Sequence, residues 1–230
     1  MSAIERAPIN QSVERAARLL DLFSVDEPEL TLGELTARLG TSKATAHRYA
    51  TALRSVGLLR YTGGAYTLGP RVVELAATAL AGLRIIKVAG PYLERLVAEL
   101  NETAVLSIWD GEAPVVVRVD DNTDRLVRIN VRAGSRLPLD SAQGKVFRAH
   151  LTDDLADVRE SGLGFTERVV EGIAALAAPV FQGDEIVATM ALVGTTAAIQ
   201  PDARLGGALR EAAANLSAEL GFLPTERSNG

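Results

Sequence analysis

Leu32, Leu35 and Leu39 recur at helical spacing, so the segment beginning at Thr31 has one apolar face. Gly40 follows, where a helix end needs a residue that tolerates positive φ. Thr41 and Ser42 are good N-cap types for a second helix. In that helix Ala46, Tyr49, Ala50, Leu53 and Val56 share the inward face, while Ala44, His47, Arg48, Thr51 and Ser55 point the other way. Gly57 ends it. Leu58–Tyr61 and Ala65–Leu68 then flank Gly63-Gly64, a two-residue hairpin signal. An earlier helix over Ser12–Phe23 adds Val13, Ala16, Leu19, Leu20 and Phe23 to a three-helix core. Three helices and a hairpin in this order predict a winged helix-turn-helix, whose last helix enters the major groove of DNA.

After Gly69-Pro70, Arg71–Val88 reads as one connecting helix with Val72, Leu75, Ala76, Ala79, Leu80 and Leu83 apolar. That stripe suits either a dimer seam or a helix lying on its own domain. Gly90-Pro91 breaks the pattern, and Pro91–Glu99 starts a new helix. Strands are predicted over Ala104–Trp109 and Val115–Val119, around an Asp110-Gly111 turn. Leu126–Val131 alternates as a further strand. Short helices follow over Ala142–Leu151 and Asp153–Arg159. Apolar strands span Ala174–Phe181 and Glu185–Val193, and Pro201–Leu220 forms a closing helix. The result is an α+β chain: a winged helix-turn-helix over 1–70, a linker helix over 71–89, a domain with an antiparallel sheet over 90–223, and a flexible tail over 224–230.

Composition adds limits. The 230 residues are 47% hydrophobic and 23% charged, as in an ordinary globular protein. The absence of Cys removes disulfides and thiolate metal sites. No apolar run reaches membrane-spanning length and no signal-peptide pattern is present, so a cytoplasmic location and no membrane partner are expected. The net charge is −5, yet residues 1–70 hold eight Lys/Arg against seven Asp/Glu. An excess of only one positive charge makes non-specific DNA affinity modest and specific binding dependent on a dimer.

The candidate DNA contacts are Thr41, Ser42, Lys43, Ala44, Thr45, His47, Arg48 and Thr51. Between Thr41 and Ser55 there are three basic residues and no acid, which suits a polyanion. Small side chains at Ala44, Thr45 and Thr51 let the backbone approach the groove floor. Arg48 is the candidate for guanine O6 and N7, and Lys43 for phosphate or base. Winged helices also serve as protein-docking modules, which leaves a small-molecule-binding protein as the alternative. Enzyme chemistry is not expected. Ser141 and Lys145, four apart, fit a nucleophile pair, but an N-cap serine beside a surface lysine explains them better. Asp120, Asp121, Asn122 and Asp124 read as a solvated loop, and His150 has no acidic partner at fixed spacing. No cofactor or metal is implied.

The chain resembles the IclR family of bacterial transcription regulators over nearly its whole length. The resemblance rests on Ser12-Val13-Glu14-Arg15-Ala16, Leu20-Asp21-Leu22-Phe23, Thr31-Leu32-Gly33-Glu34-Leu35, Lys43-Ala44-Thr45-Ala46-His47-Arg48 and Tyr66-Thr67-Leu68-Gly69. Gly134-Ser135-Arg136-Leu137-Pro138-Leu139, Ser141-Ala142-Gln143-Gly144-Lys145 and the run from Glu171 to Val180 continue it. It implies a C-terminal, GAF-like effector domain and a homodimer or homotetramer on a palindromic double-stranded operator. It also implies a small-molecule effector whose carboxylate is held by backbone N–H groups at Ala142, Gln143 and Gly144, with Ile129 and Leu137 as apolar walls. Free N–H groups at a helix start favour an anion. Three polar pocket positions differ here. Phe165 stands where an acid is common, Ala175 where a Cys or a similar small group is frequent, and Ala191 and Val193 where a Ser is frequent. A polar ligand group left unpaired there costs about 1–3 kcal/mol. The departures point to an apolar or aromatic ligand, such as an aromatic acid, or to a vestigial pocket. The short stretch from Lys145 to Glu171 holds little more than one helix and predicts an open site.

Overall fold

The computed structural model describes residues 10–121, 131–152, 154–168 and 171–221, which form two compact units divided between Gly82 and Leu83. In the first, Asn10 caps α1 (Gln11–Leu20) by accepting from the Ser12 N–H at 3.0 Å. Thr31 and Glu34 close a capping box at the start of α2 (Leu32–Leu39). Gly40 ends α2 at φ 60°, so the chain can turn at once into α3 (Lys43–Ser55). Strands β1 (Glu29–Thr31), β2 (Leu59–Thr62) and β3 (Ala65–Leu68) make an antiparallel sheet in the order β1-β3-β2. Leu19, Leu30, Leu35, Ala50, Leu53, Leu59 and Tyr66 are its buried core.

The winged helix expected from the pattern is therefore present, with three differences. α1 stops at Leu20, three residues before Phe23, and Val13 is 64% exposed because it lies round the helix from Leu19. Val56 is also exposed: it is the C-cap of α3, at φ −100°, and no longer shares the helical face. β1 was not expected, since a three-residue strand with one buried side chain leaves no periodicity to read.

α4 (Pro70–Gly82) closes the first unit and buries none of its side chains. The single linker helix expected over 71–89 is instead two. Leu83, at φ −87° and ψ 87°, is not helical, and α5 (Arg84–Val88) follows it. The second unit continues through α6 (Gly90–Leu100), β4 (Thr103–Trp109), β5 (Pro114–Asp120), α7 (Ala142–Leu151) and α8 (Ala156–Ser161). It ends with β6 (Gly164–Arg168), β7 (Ile173–Gln182), β8 (Glu185–Thr195) and α9 (Ala203–Glu219). Its sheet runs β5-β4-β8-β7-β6, with every neighbouring pair antiparallel. The α+β class matches expectation. β6 was not foreseen, and α8 begins at Ala156 rather than Asp153. The strand expected over 126–131, apart from Val131, and the tail over 224–230 lie outside the described residues.

Alternation along the strands gives the sheet two apolar faces. Ala104, Leu106, Leu176, Met190 and Leu192 meet α6 and α9 on one side. Val105, Ala177, Ala191 and Val193 meet α7 on the other, through Ala142, Val146 and Ala149. Near the end of α7, the His150 ring stands edge-on to Phe181 at 5.1 Å, and its Nε2 is buried with no hydrogen-bond partner. Burial, and then the nearby positive charge of Arg159, push the His150 pKa below its ordinary 6.5.

A histidine held neutral in this way stabilises the fold fully above the ordinary value, and the contribution is lost as pH falls below 6.5 towards the depressed pKa. Melting temperature should therefore drop on acidification just below pH 6.5. His150→Phe should flatten the curve in that window. Parallel curves for the two proteins would remove His150 as the source.

Candidate functional site

The N-terminal unit presents α3 as its candidate nucleic-acid interface. Ala46, Ala50 and Leu53 fix its buried side. Ser42 caps it, accepting from the Thr45 N–H at 3.2 Å, and its hydroxyl donates to Thr45 Oγ1 at 2.9 Å. Of the eight expected contacts, Ser42, Lys43, Ala44, His47, Arg48 and Thr51 are exposed, while Thr41 and Thr45 are half-buried beside the turn. The Arg48 Cζ lies 5.7 Å from the centroid of the Tyr49 ring, which keeps the guanidinium along one flank of the helix. Nearby acids are engaged elsewhere. Glu27 accepts two bonds from Arg38 at 2.6 and 2.7 Å, which hold its pKa below the usual carboxylate value. Glu34 is tied to Thr31 by the capping box and its pKa is likewise lowered, first by the Thr31 N–H.

The C-terminal unit contains an open cavity of about 220 Å³. The strand register explains its floor. Thr166 pairs with Ala175, Ala175 with Val193, and Val193 with Thr103, a single row across four strands on the α7 side. Ile173 and Arg168 form part of the next row. Val131, Leu137 and Pro138 add an apolar wall, and Ser141, Ala142 and Gln143 bring in the start of α7. Leu137, Ala142, Gln143, Ala175 and Val193 thus line one cavity. Ile129 lies outside the described residues.

The other expected pocket residues sit elsewhere. Gly144 packs against the loop before α7: a Cβ there would meet the carbonyl oxygens of Pro138 and Leu139 at 2.6 Å. Ala191 is one row further along, covered by α7 and fully buried. Phe165 pairs with Leu176 and packs into the opposite core, because side chains alternate and its neighbours Gly164 and Thr166 take the α7 side. The expectation that Phe165 lines the pocket is therefore corrected. Thr166 and Arg168 line the cavity, and neither was foreseen because β6 was not recognised as a strand.

The polar groups of the cavity have distinct states. Ser141 caps α7: its hydroxyl accepts from the Gly144 N–H at 3.1 Å and donates to the Pro138 carbonyl at 2.6 Å. Lys145 Nζ donates to the Phe165 carbonyl at 2.6 Å, so Ser141 and Lys145 are each committed to other partners and are not paired. Thr166 donates to the Asp140 carbonyl at 2.8 Å. Arg168 lies 3.3 Å from Glu171, a half-exposed pair at the rim. The Gln143 side chain is 3% exposed, and neither its carboxamide nor the N–H groups of Ala142 and Gln143 have a hydrogen-bond partner among the described residues. These N–H groups are the unsatisfied donors expected in the first turn of a helix.

Two family models match the chain: the IclR helix-turn-helix domain over residues 12–63, and the bacterial transcriptional regulator IclR C-terminal domain over residues 77–155. An HTH-type transcriptional regulator of Mycobacterium tuberculosis is 31% identical over 86% of this chain and 88% of its own length. The DNA-binding transcriptional repressor YiaJ of Escherichia coli is 28% identical over 95% of this chain and 90% of its own. The HTH-type regulator KipR of Bacillus subtilis is 35% identical, but over only 52% of its length. Among solved structures, an IclR transcriptional regulator of Alicyclobacillus acidocaldarius superposes with a TM-score of 0.74 at 26% identity, covering 93% of this chain and 100% of that one. An IclR homologue of Microbacterium hydrocarbonoxydans, solved with 4-hydroxybenzoate, gives 0.74 at 22% identity, covering 91% and 98%. With a winged helix in its N-terminal unit, an antiparallel sheet in its C-terminal unit and regulators as its relatives, the chain belongs to the IclR family of DNA-binding transcriptional regulators.

Proposed function

We propose that this protein is a dimeric regulator that reads a palindromic operator with α3 and responds to an apolar or aromatic carboxylic acid bound in its C-terminal cavity. The observation that carries the ligand class is the start of α7. Two unpartnered N–H groups and the unpartnered Gln143 carboxamide border a floor made by Ile173, Ala175 and Val193. Helix N-termini attract anions, and an anion in the first turn is worth about 0.3–1 kcal/mol, rising towards 2 in a partly buried setting. Arg168 at the rim can exchange its Glu171 partner for the ligand's carboxylate. The apolar floor favours a ligand body without polar groups, since a buried hydroxyl facing alanine and valine would have no partner. The homologue solved with an aromatic acid is consistent with this chemistry. A ligand regulates only if it binds the operator-competent arrangement and its alternative with different affinity.

The dimer reading rests on α4. Leu75 and Leu80 are 54% and 42% exposed, on the stripe that also carries Val72, Ala76 and Ala79. A second copy of the same helix is the occupant that matches such a stripe, and two reading heads compensate for the weak net charge of each.

Three outcomes test these assignments. Arg48→Ala should abolish the sequence-specific gel shift on the DNA upstream of the gene at moderate salt, with an unchanged melting curve; an unchanged footprint would sink the role of Arg48. Leu75→Glu with Leu80→Glu should sediment as a monomer, and a persisting dimer would place the seam elsewhere. Benzoate at about one hundred times its dissociation constant should stabilise the wild type by roughly 2.7 kcal/mol in thermal melts. A small hydrophilic acid such as glyoxylate, at the same concentration as the benzoate, should do far less, and the reverse order would overturn the ligand class.

A further inference from the structure

Resting on the DNA-binding reading, we infer that α1 carries a phosphate clamp: Arg15 and Arg18 hold a backbone phosphate in the cleft between α1 and the turn into α3. The cleft, about 220 Å³, is lined by Arg15, Arg18, Thr41, Thr45 and Tyr49, with Leu39 and Gly40 at its back. It is a built feature and not a scatter of surface charge. Ser12, and then Arg15, lie beside the Tyr49 phenol and lower its pKa, so α1 and α3 meet at the cleft. Neither Arg15 nor Arg18 pairs with a carboxylate among the described residues.

Helical geometry places this cleft where a phosphate must pass. Residues of α3 turn by about 100° each. Ala44, Arg48, Thr51 and Ser55 therefore face away from the buried Ala46, Ala50 and Leu53, and Thr45 and Tyr49 lie on one flank between the two. A helix with side chains is about 10–12 Å across and the major groove is about 12 Å wide. When the exposed face meets the base edges, each flank then meets a wall of the groove, which is the sugar–phosphate backbone. The Thr45–Tyr49 flank borders the cleft, which Arg15 and Arg18 line from α1 and Thr41 lines from the turn. Guanidinium and phosphate match in charge and in bidentate geometry. The contact carries no base information. It fixes the depth and register of α3, while Arg48 reads the sequence.

Binding to a random-sequence duplex tests the clamp, because no operator is needed. Fluorescence anisotropy is measured between about 50 and 200 mM salt, where log affinity falls linearly with log salt by about 0.9 per phosphate neutralised. Relative to wild type, Arg15→Ala with Arg18→Ala should flatten that slope by about 0.9 in each chain, for the one phosphate released. Arg15→Lys with Arg18→Lys should keep the wild-type slope, since it keeps the charge. On operator DNA the alanine pair should weaken specific and random duplexes by the same factor, whereas Arg48→Ala changes their ratio. Arg15 also lies beside Tyr49, so Arg18→Ala alone, at an unchanged melting temperature, guards against misfolding and should flatten the slope in the same direction by a part of that amount. An unchanged slope in both alanine variants overturns the clamp. A changed specificity ratio overturns its sequence-blind character. Loss of all duplex binding by the wild type would instead overturn the DNA-binding reading itself.

Discussion

Pairing between β7 and β8 is the constraint on which the C-terminal unit depends. Each strand is buried on both faces, so parity alone decides what a side chain touches. In the observed register Ala175, Ala177, Ala191 and Val193 face α7, and Leu176, Ala178, Met190 and Leu192 face α6 and α9. The α7 face is made of small residues, and that is why the helix can lie close. A Cβ on Gly164 would meet the Ala142 carbonyl oxygen at 2.4 Å. A slip of one residue would exchange the two sets and drive Leu176 and Leu192 into the space now open in front of Ala142. The cavity is thus a consequence of register, and the long β7–β8 ladder secures it.

The sequence shows most clearly what depends on near neighbours. The α2–Gly40–α3 turn and the Gly63-Gly64 hairpin were legible because caps and positive-φ glycines act within a few residues. α7 was expected over Ala142–Leu151 and occupies those residues. Elements defined by distant partners were not legible. β1 is a strand only because Leu30 sits opposite Tyr66, and β6 only because β7 presents it with an edge. Missing β6 had a chemical consequence. Without its alternation, Phe165 was assigned to the pocket, whereas Thr166 and Arg168 line it. The matched family stretch ends at residue 155, so the β6–β8 floor has to be read from this chain's own pairing.

Net charge describes the reading head poorly. An excess of one positive charge over residues 1–70 suggests weak attraction to DNA. The arrangement is more favourable than the sum. Glu27 is neutralised by Arg38 and Glu34 by its own helix cap, whereas Lys43, Arg48 and Arg54 lie on a helix with no acid of its own. Counterion release depends on the phosphates contacted and not on total charge.

The corrected register also sharpens the argument about the ligand. Read from the sequence, the pocket had lost polar residues and pointed to an apolar or aromatic ligand, with a vestigial pocket as the alternative. In the folded chain two N–H groups and the Gln143 carboxamide stand at the start of α7, while Thr166 donates to the Asp140 carbonyl and Arg168 is paired with Glu171 at the rim. Ile173, Ala175 and Val193 make the floor. The cavity is open, so water reaches these donors in the empty protein, and a ligand acceptor would take that water's place. An acid with an apolar body is complementary to this division in both halves, whereas a small hydrophilic acid matches only one.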